Sequence, residues 1–148
     1  MIGDVCRKGV NAAVVTAFAR YTIRAGHPLP LLSRSGASPT QFGRAGSLLG
    51  VLDAPVFHEV EVVMQPGDAL VLFTDGVTAG RRGESFFGAA GLDDAVTRYV
   101  GPAPALVHGI LDDVMEFQSG TPRDDIAIVV VRLPDRPDHD ESKDDQAE

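Results

Sequence analysis

The chain has 148 residues, enough for one domain, and 44% of them are hydrophobic, enough to build a core. No apolar run approaches the roughly 18 residues a membrane-spanning helix needs. With no Trp, 6% aromatics and no basic stripe, the composition argues against nucleic-acid binding. The formal net charge of −8 is concentrated at one end: Asp135–Glu148 carries seven acids and two bases, a net −5, which leaves −3 for Met1–Pro134.

That end, "DRPDHDESKDDQAE", has no large apolar residue with which to offset the entropy of ordering. It reads as a disordered, solubilising acidic tail, so the expected organisation is a domain over 1–134 and a tail over 135–148. The start, "MIGDVCRKG", lacks the apolar stretch of a secretory leader. A single cysteine, Cys6, excludes an internal disulfide, and a cytoplasmic location is expected.

In chain order, Val10 to Ile23 reads as a helix, with Val10, Val14, Phe18 and Tyr21 at three- and four-residue steps. Gly9 and Asn11 stand at its start, where such residues are well placed. Pro28 and Pro30 forbid a central helix in "AGHPLPLLSRSG", and "LPLLS" fits a short strand closed by the turn "RSGASP". "SLLGVLDAP" reads as a loop with one buried apolar segment. From Val56 to Met64 apolar residues alternate, which predicts a half-buried strand with Val56, Val60, Val62 and Met64 on one face and Phe57, Glu59 and Glu61 on the other. "QPGD" is a turn of the Pro-Gly type. Ala69 to Thr74 is apolar on both faces and reads as a central buried strand, hairpin-linked to the preceding one and ending at Asp75. "GVTAGRRGES" reads as a loop. Leu92 to Val100 suggests a short helix, and Ala103 to Phe117 a longer one with Leu106, Ile110, Val114 and Phe117 on one stripe. "QSGTPRDD" closes it, and Ile126 to Leu133 reads as a last buried strand. Helices mixed with antiparallel hairpins make an α+β layered domain.

Three acids lie at the edges of these apolar elements: Asp4 in "GDVCRKG", Asp75 after the most buried strand, and Asp124, with Asp125, in "PRDDIAI". Taken singly, each has an ordinary explanation: a cap, a turn, a solvated loop acid. Brought to one end of a sheet they would repel one another, and a hard divalent cation such as Mg²⁺ or Mn²⁺ would relieve that repulsion through oxygen ligands. The histidines show no metal-ligand spacing. His27 fits a strand entrance, His58 a strand, His108 a helix and His139 the tail.

The segments "GDVCRKGVNAAVV", "AGHPLPLL", "LLGVLDAPVFHEVEVVMQPGDALVLFTDGVTAG" and "RDDIAIVVVRL" occur in order over residues 2–133. Together they resemble the PPM-type metal-dependent serine/threonine phosphatases, specifically their bacterial SpoIIE-like branch. "PGDALVLFTDG" followed by "DDI" is the most specific part. The resemblance implies a β-sandwich flanked by helices with a two-metal Mn²⁺ or Mg²⁺ centre at one end. It implies that Asp4 bridges the metals, that the Val5 carbonyl is a further ligand, and that Asp75 and Asp124 bind one of the two. Gly3 and Gly76 would allow backbone and metal to approach closely. The implied chemistry is direct hydrolysis of phosphoserine or phosphothreonine by a metal-activated water, with no covalent intermediate. Cys6 is then no nucleophile but a small residue before the helix. The implied substrates are phosphorylated regulatory proteins of the anti-anti-sigma type.

The chain departs from that pattern in three places. The upstream strands with a further acidic motif are missing, the helix ending near Arg24 runs directly into "AGHPLPLL", and Cys6 and Arg7 stand where Ser and Gly are usual. The expectation is a shortened, incomplete sandwich with weakened metal binding and impaired activity. A partner chain or a second copy would complete its sheet. Two other functions compete: a non-catalytic binding module derived from the same fold, and a Mg²⁺-dependent phosphohydrolase with a nucleophilic Asp on a doubly wound parallel sheet. The hairpin signal "VVMQPGDALVLF" argues against the second.

Overall fold

The computed structural model describes residues 28–45, 58, 60–122 and 124–135. The expected helix over Val10–Ile23, the "SLLGVLDAP" loop, His27 and the tail from residue 136 onward lie outside the described residues.

Ala69–Phe73 (β3) is the centre of the molecule, and every one of its residues is buried. Leu31–Ser33 (β1) pairs antiparallel with one edge of it, and Ile128–Arg132 (β6) pairs antiparallel with the other. Thr40–Gln41 (β2) extends the sheet beyond β1, giving the order β2-β1-β3-β6. The period of two along a strand sends alternate side chains to opposite faces. Leu31, Ala69, Val71 and Phe73 therefore join one apolar cluster, and Leu32, Leu70 and Leu72 join another. Both faces are covered, so an uninterrupted apolar run such as "ALVLF" is what the central strand requires.

The first face is roofed by two helices, Gly88–Arg98 (α2) and Ala103–Phe117 (α3). On α3 the four-residue steps bury Leu106, Ile110 and Val114 against the sheet, each at 1% exposure or less. Pro104 is accommodated because the first helical turn needs no donor at that nitrogen. The helix ends where Ser119 and Gly120 take positive φ values of 61° and 84°, and Gly120 N–H returns to the Met115 carbonyl at 2.7 Å. Gly109 lets α2 and α3 meet closely, because a Cβ there would lie 2.3 Å from the Tyr99 ring.

The second face is covered by residues 60–64, and this corrects the expected hairpin. Val60, Val62 and Met64 do point inward, with Met64 at 3% exposure and Val63 outward at 58%. No strand forms there among the described residues, because both edges of β3 are already taken by β1 and β6. Val62 and Met64 instead lie on Leu32, Leu70 and Leu72. The Pro66–Gly67 turn itself forms as expected, with Gly67 at φ 88° and Asp68 N–H donating to the Gln65 carbonyl at 3.0 Å. The buried Asp68 carboxylate locks the turn by accepting from Gln65 N–H at 2.9 Å.

Two further corrections concern the ends. The last strand is half-buried rather than buried, because among the described residues only one of its edges is paired and Val129 is 51% exposed. The expected loop after Asp75 is one helical turn, Asp75–Thr78 (α1), followed by a hairpin of Arg81–Arg82 (β4) and Ser85–Phe86 (β5). Gly83, at φ 63°, makes that tight two-residue connection possible. The fold class is α+β, as expected, and the described residues supply one four-stranded sheet with its flanking helices.

Candidate active site

β3 and β6 run antiparallel with Phe73 opposite Ile128, so the residues after the first strand and before the second share one end of the sheet. Thr74 ties them together. Its N–H donates to the Ala127 carbonyl at 3.1 Å, its hydroxyl donates to the Asp125 carbonyl at 2.7 Å, and the same hydroxyl accepts from Ala127 N–H at 2.9 Å. A serine-type hydroxyl with one donor and two acceptor sites suits such a bridge.

Asp75 follows and opens α1. Its backbone carbonyl accepts from Ala79 N–H at 2.7 Å and from the Thr78 hydroxyl at 3.2 Å, which leaves the carboxylate solvent-exposed. Val77, fully buried, pins the turn to the core. Gly76 lies against the facing loop: a Cβ there would come 2.4 Å from the Asp125 carbonyl oxygen and 3.4 Å from the Asp124 carbonyl carbon. The close approach expected of Gly76 is thus made to backbone, and it brings the Asp75 and Asp124 segments side by side. Asp124, also exposed, accepts from Asp125 N–H at 2.8 Å.

An open cleft of about 290 Å³ lies at this end, lined by Gly76, Ala79, Gly80, Arg81, Gln118 and Asp124. A second cavity, of about 210 Å³, lies between the sheet and α2, with Leu31, Phe73, Leu92 and Asp93 on its wall. There, burial and then the neighbouring Asp94 charge raise the Asp93 carboxyl above its ordinary value. This cavity is lined mostly by apolar side chains and holds neither Asp75 nor Asp124.

Of the four expected ligands, Asp75 and Asp124 are brought to one end of the sheet, and Asp4 and Val5 lie outside the described residues. Among the described residues no group of three or more His, Cys, Asp and Glu side chains could hold a metal. The two carboxylates nonetheless suit a hard cation in kind. Both are oxygen donors, and among the described residues neither is neutralised by an ion pair. His58 and His108 are exposed and stand apart from this end. Thr74 and Arg81 were not singled out from sequence. The only local signal for Thr74 is a hydroxyl directly before Asp-Gly, and Arg81 reaches the cleft only through the hairpin fold.

The profile of the family described as Stage II sporulation protein E (SpoIIE) matches residues 21–134. No curated protein matches the chain. Among solved structures, the phosphatase domain of the cell fate determinant SpoIIE from Bacillus subtilis, Mn presoaked, is 21% identical, with a TM-score of 0.58. That match covers 80% of this chain and 50% of the other. The SiaA-PP2C domain of Pseudomonas aeruginosa is 27% identical, with a TM-score of 0.58, over 71% of this chain and 42% of its own. The RsbU and RsbW domains of Rv1364c from Mycobacterium tuberculosis give 26% identity and a TM-score of 0.57, over 76% and 32%. The chain spans half or less of the length of these structures. Every β3 pairing is antiparallel, which excludes the doubly wound parallel sheet of the competing phosphohydrolase even though the expected hairpin is absent.

Proposed function

The chain belongs to the SpoIIE family of PP2C-type phosphatase domains, and from that premise we propose that it is a metal-dependent protein serine/threonine phosphatase. The observation that carries the proposal is that Asp75 and Asp124 come to one end of the sheet, an approach that Gly76 permits by lying on the Asp124–Asp125 backbone. Asp75 and Asp124 would hold a divalent cation, Mn²⁺ or Mg²⁺, with Asp4 and the Val5 carbonyl completing the set. A cation bound there supplies Lewis acidity for water attack and offsets charge on the phosphoryl oxygens.

The protein's own residues do the rest. The Thr74 hydroxyl fixes the Asp125–Ala127 segment against the end of β3, and so fixes the backbone beside the two acids. The α1 turn holds the Asp75 backbone by two hydrogen bonds, so its exposed side chain starts from a rigid base beside the cleft. The cleft is open to solvent, as access for a phosphorylated side chain of a protein requires. The substrate proposed is phosphoserine or phosphothreonine on a cytoplasmic regulatory protein of the anti-anti-sigma type. A second copy or a partner chain would complete the sheet beyond the described strands. Among the described residues no helix is long and apolar enough to cross a membrane.

Hydrolysis of a phosphoserine peptide with Mn²⁺, comparing the wild type with Asp75→Asn, tests the proposal. Mn²⁺-dependent release that disappears in the variant supports it; equal rates remove Asp75 from the mechanism. A second reading is a non-catalytic binding module, in which the two carboxylates brought together hold no cation. Calorimetric titration with Mn²⁺ separates the two, because a binding module gives no metal heat.

A further inference from the structure

Five of the six described arginines, all but Arg44, divide by their partners. Arg34, Arg98 and Arg132 each lie within 4.0 Å of a carboxylate oxygen, on Asp68, Asp113 and Asp135 respectively. Arg81 and Arg82 have no ion pair or side-chain hydrogen bond among the described residues; each guanidinium lies on an aromatic ring instead. Arg81 stacks 4.1 Å from the Phe86 ring centroid across the β4–β5 hairpin, where the two residues are directly paired. Arg82 stacks 4.7 Å from the Phe117 centroid. Only Arg81 lines the cleft that also holds Gly76 and Asp124.

Stacking uses the face of a guanidinium and leaves its N–H edge unspent. That edge presents parallel donors matched to two oxygens of a phosphoryl group. We infer that Arg81 is the phosphate-positioning residue of this cleft, receiving the dianionic phosphoryl group of a phosphomonoester on its free edge while Phe86 holds the guanidinium in place. The inference rests on the proposed phosphatase reading for the identity of the anion. It also answers a difficulty of charge. Asp75 and Asp124 make this end of the sheet anionic in a chain of net charge −8, and a phosphoryl dianion needs a fixed cation of the protein's own to approach it. Arg81 is that cation, and its exposed position puts it at the rim where a substrate arrives.

The test is calorimetric titration of the full chain with inorganic phosphate in the presence of Mg²⁺, alongside steady-state hydrolysis of 4-nitrophenyl phosphate. Arg81→Gln is expected to weaken phosphate binding about tenfold or more and to raise KM more than it lowers kcat. Arg81→Lys keeps the charge without the fork and should fall between. Phe86→Leu, which removes the stacking platform, should weaken binding about threefold. Arg82→Gln should bind phosphate as the wild type does. Circular dichroism on each variant identifies any that fail to fold, and Arg81→Lys then carries the comparison. Wild-type phosphate affinity in Arg81→Gln overturns the inference, as does an equal loss in Arg82→Gln or a wild type that binds no phosphate. A chain that binds phosphate through Arg81 yet hydrolyses nothing refutes the phosphatase reading and leaves Arg81 standing. Hydrolysis with an unchanged KM in Arg81→Gln does the reverse.

Discussion

Asp113 and the pair Asp75–Asp124 are carboxylates handled in opposite ways. On α3, Asp113 accepts from the Tyr99 hydroxyl at 2.9 Å and from Arg98 at 3.1 Å, so that one acid clamps two residues at the end of α2. The hydrogen bond to Asp113 raises the Tyr99 phenol above its ordinary value. At the end of β3 the two acids have no cation among the described residues, and what holds them is backbone and a threonine hydroxyl. An acid that serves the fold brings its partner from a neighbouring helix. The two acids that the proposed reading assigns to an external cation are positioned by backbone and left unneutralised among the described residues.

The comparison can be broken most decisively at Asp75. Asp75→Asn is expected to lower Mn²⁺-dependent hydrolysis by at least about 100-fold, more than the usual cost of losing an outer-shell partner. Thermal melting should shift little, since the side chain is exposed. Gly76→Ala should fail on both counts: its Cβ would meet the Asp125 carbonyl oxygen at 2.4 Å, a backbone atom that cannot swing away. A loss of about 1–3 kcal/mol in denaturant unfolding is expected, with activity falling because the Asp124 loop is pushed off. Asp113→Asn is the mirror image of Asp75→Asn. It should cost about 1–2 kcal/mol of stability and leave phosphate affinity and metal dependence untouched; a change in either would dissolve the distinction drawn above.

The smallest effect sharpens a third kind of acid. Asp93 is raised in the folded protein by burial and by Asp94, so folding favours its protonated form. Its contribution is fully present below the ordinary carboxylate value and is lost as pH rises through the raised one. Asp93→Asn should therefore raise the melting temperature slightly at pH 7 and leave it unchanged near pH 3, as read by scanning calorimetry.

The elements most legible in the sequence were those whose environment matches their own pattern. The helix over Ala103–Phe117 has one apolar stripe and one sheet to lie on, and its boundaries came out as read. The strand over Ala69–Phe73 is apolar on both faces and is buried on both. The segment before it alternates just as regularly, yet alternation reports which side chains face inward and says nothing about which edges remain free to pair. The β4–β5 hairpin escaped because Gly83 and Glu84 are flanked by arginines and a serine rather than by strand-forming apolar residues. At the candidate site, Asp75 and Asp124 were reachable through the family resemblance and their place beside apolar strands. The Thr74 bridge was not, because it joins residues far apart in sequence that only the folded sheet brings together, and the cleft position of Arg81 was not, because it depends on the β4–β5 hairpin.

That distance has a kinetic side. The Thr74 bonds to Asp125 and Ala127 span 51 and 53 residues, with the hairpin and both long helices strung between their ends. Loop closure of that length is slow and comes after the local turns have formed. A state that lacks the β3–β6 pairing does not hold Asp75 and Asp124 together, so on the proposed reading uptake of a cation requires that pairing. Hydrogen exchange at the Thr74 and Ala127 amides should then track complete unfolding rather than local opening. The assembled site is in that sense a seal on the whole fold, present only while β3 and β6 are paired.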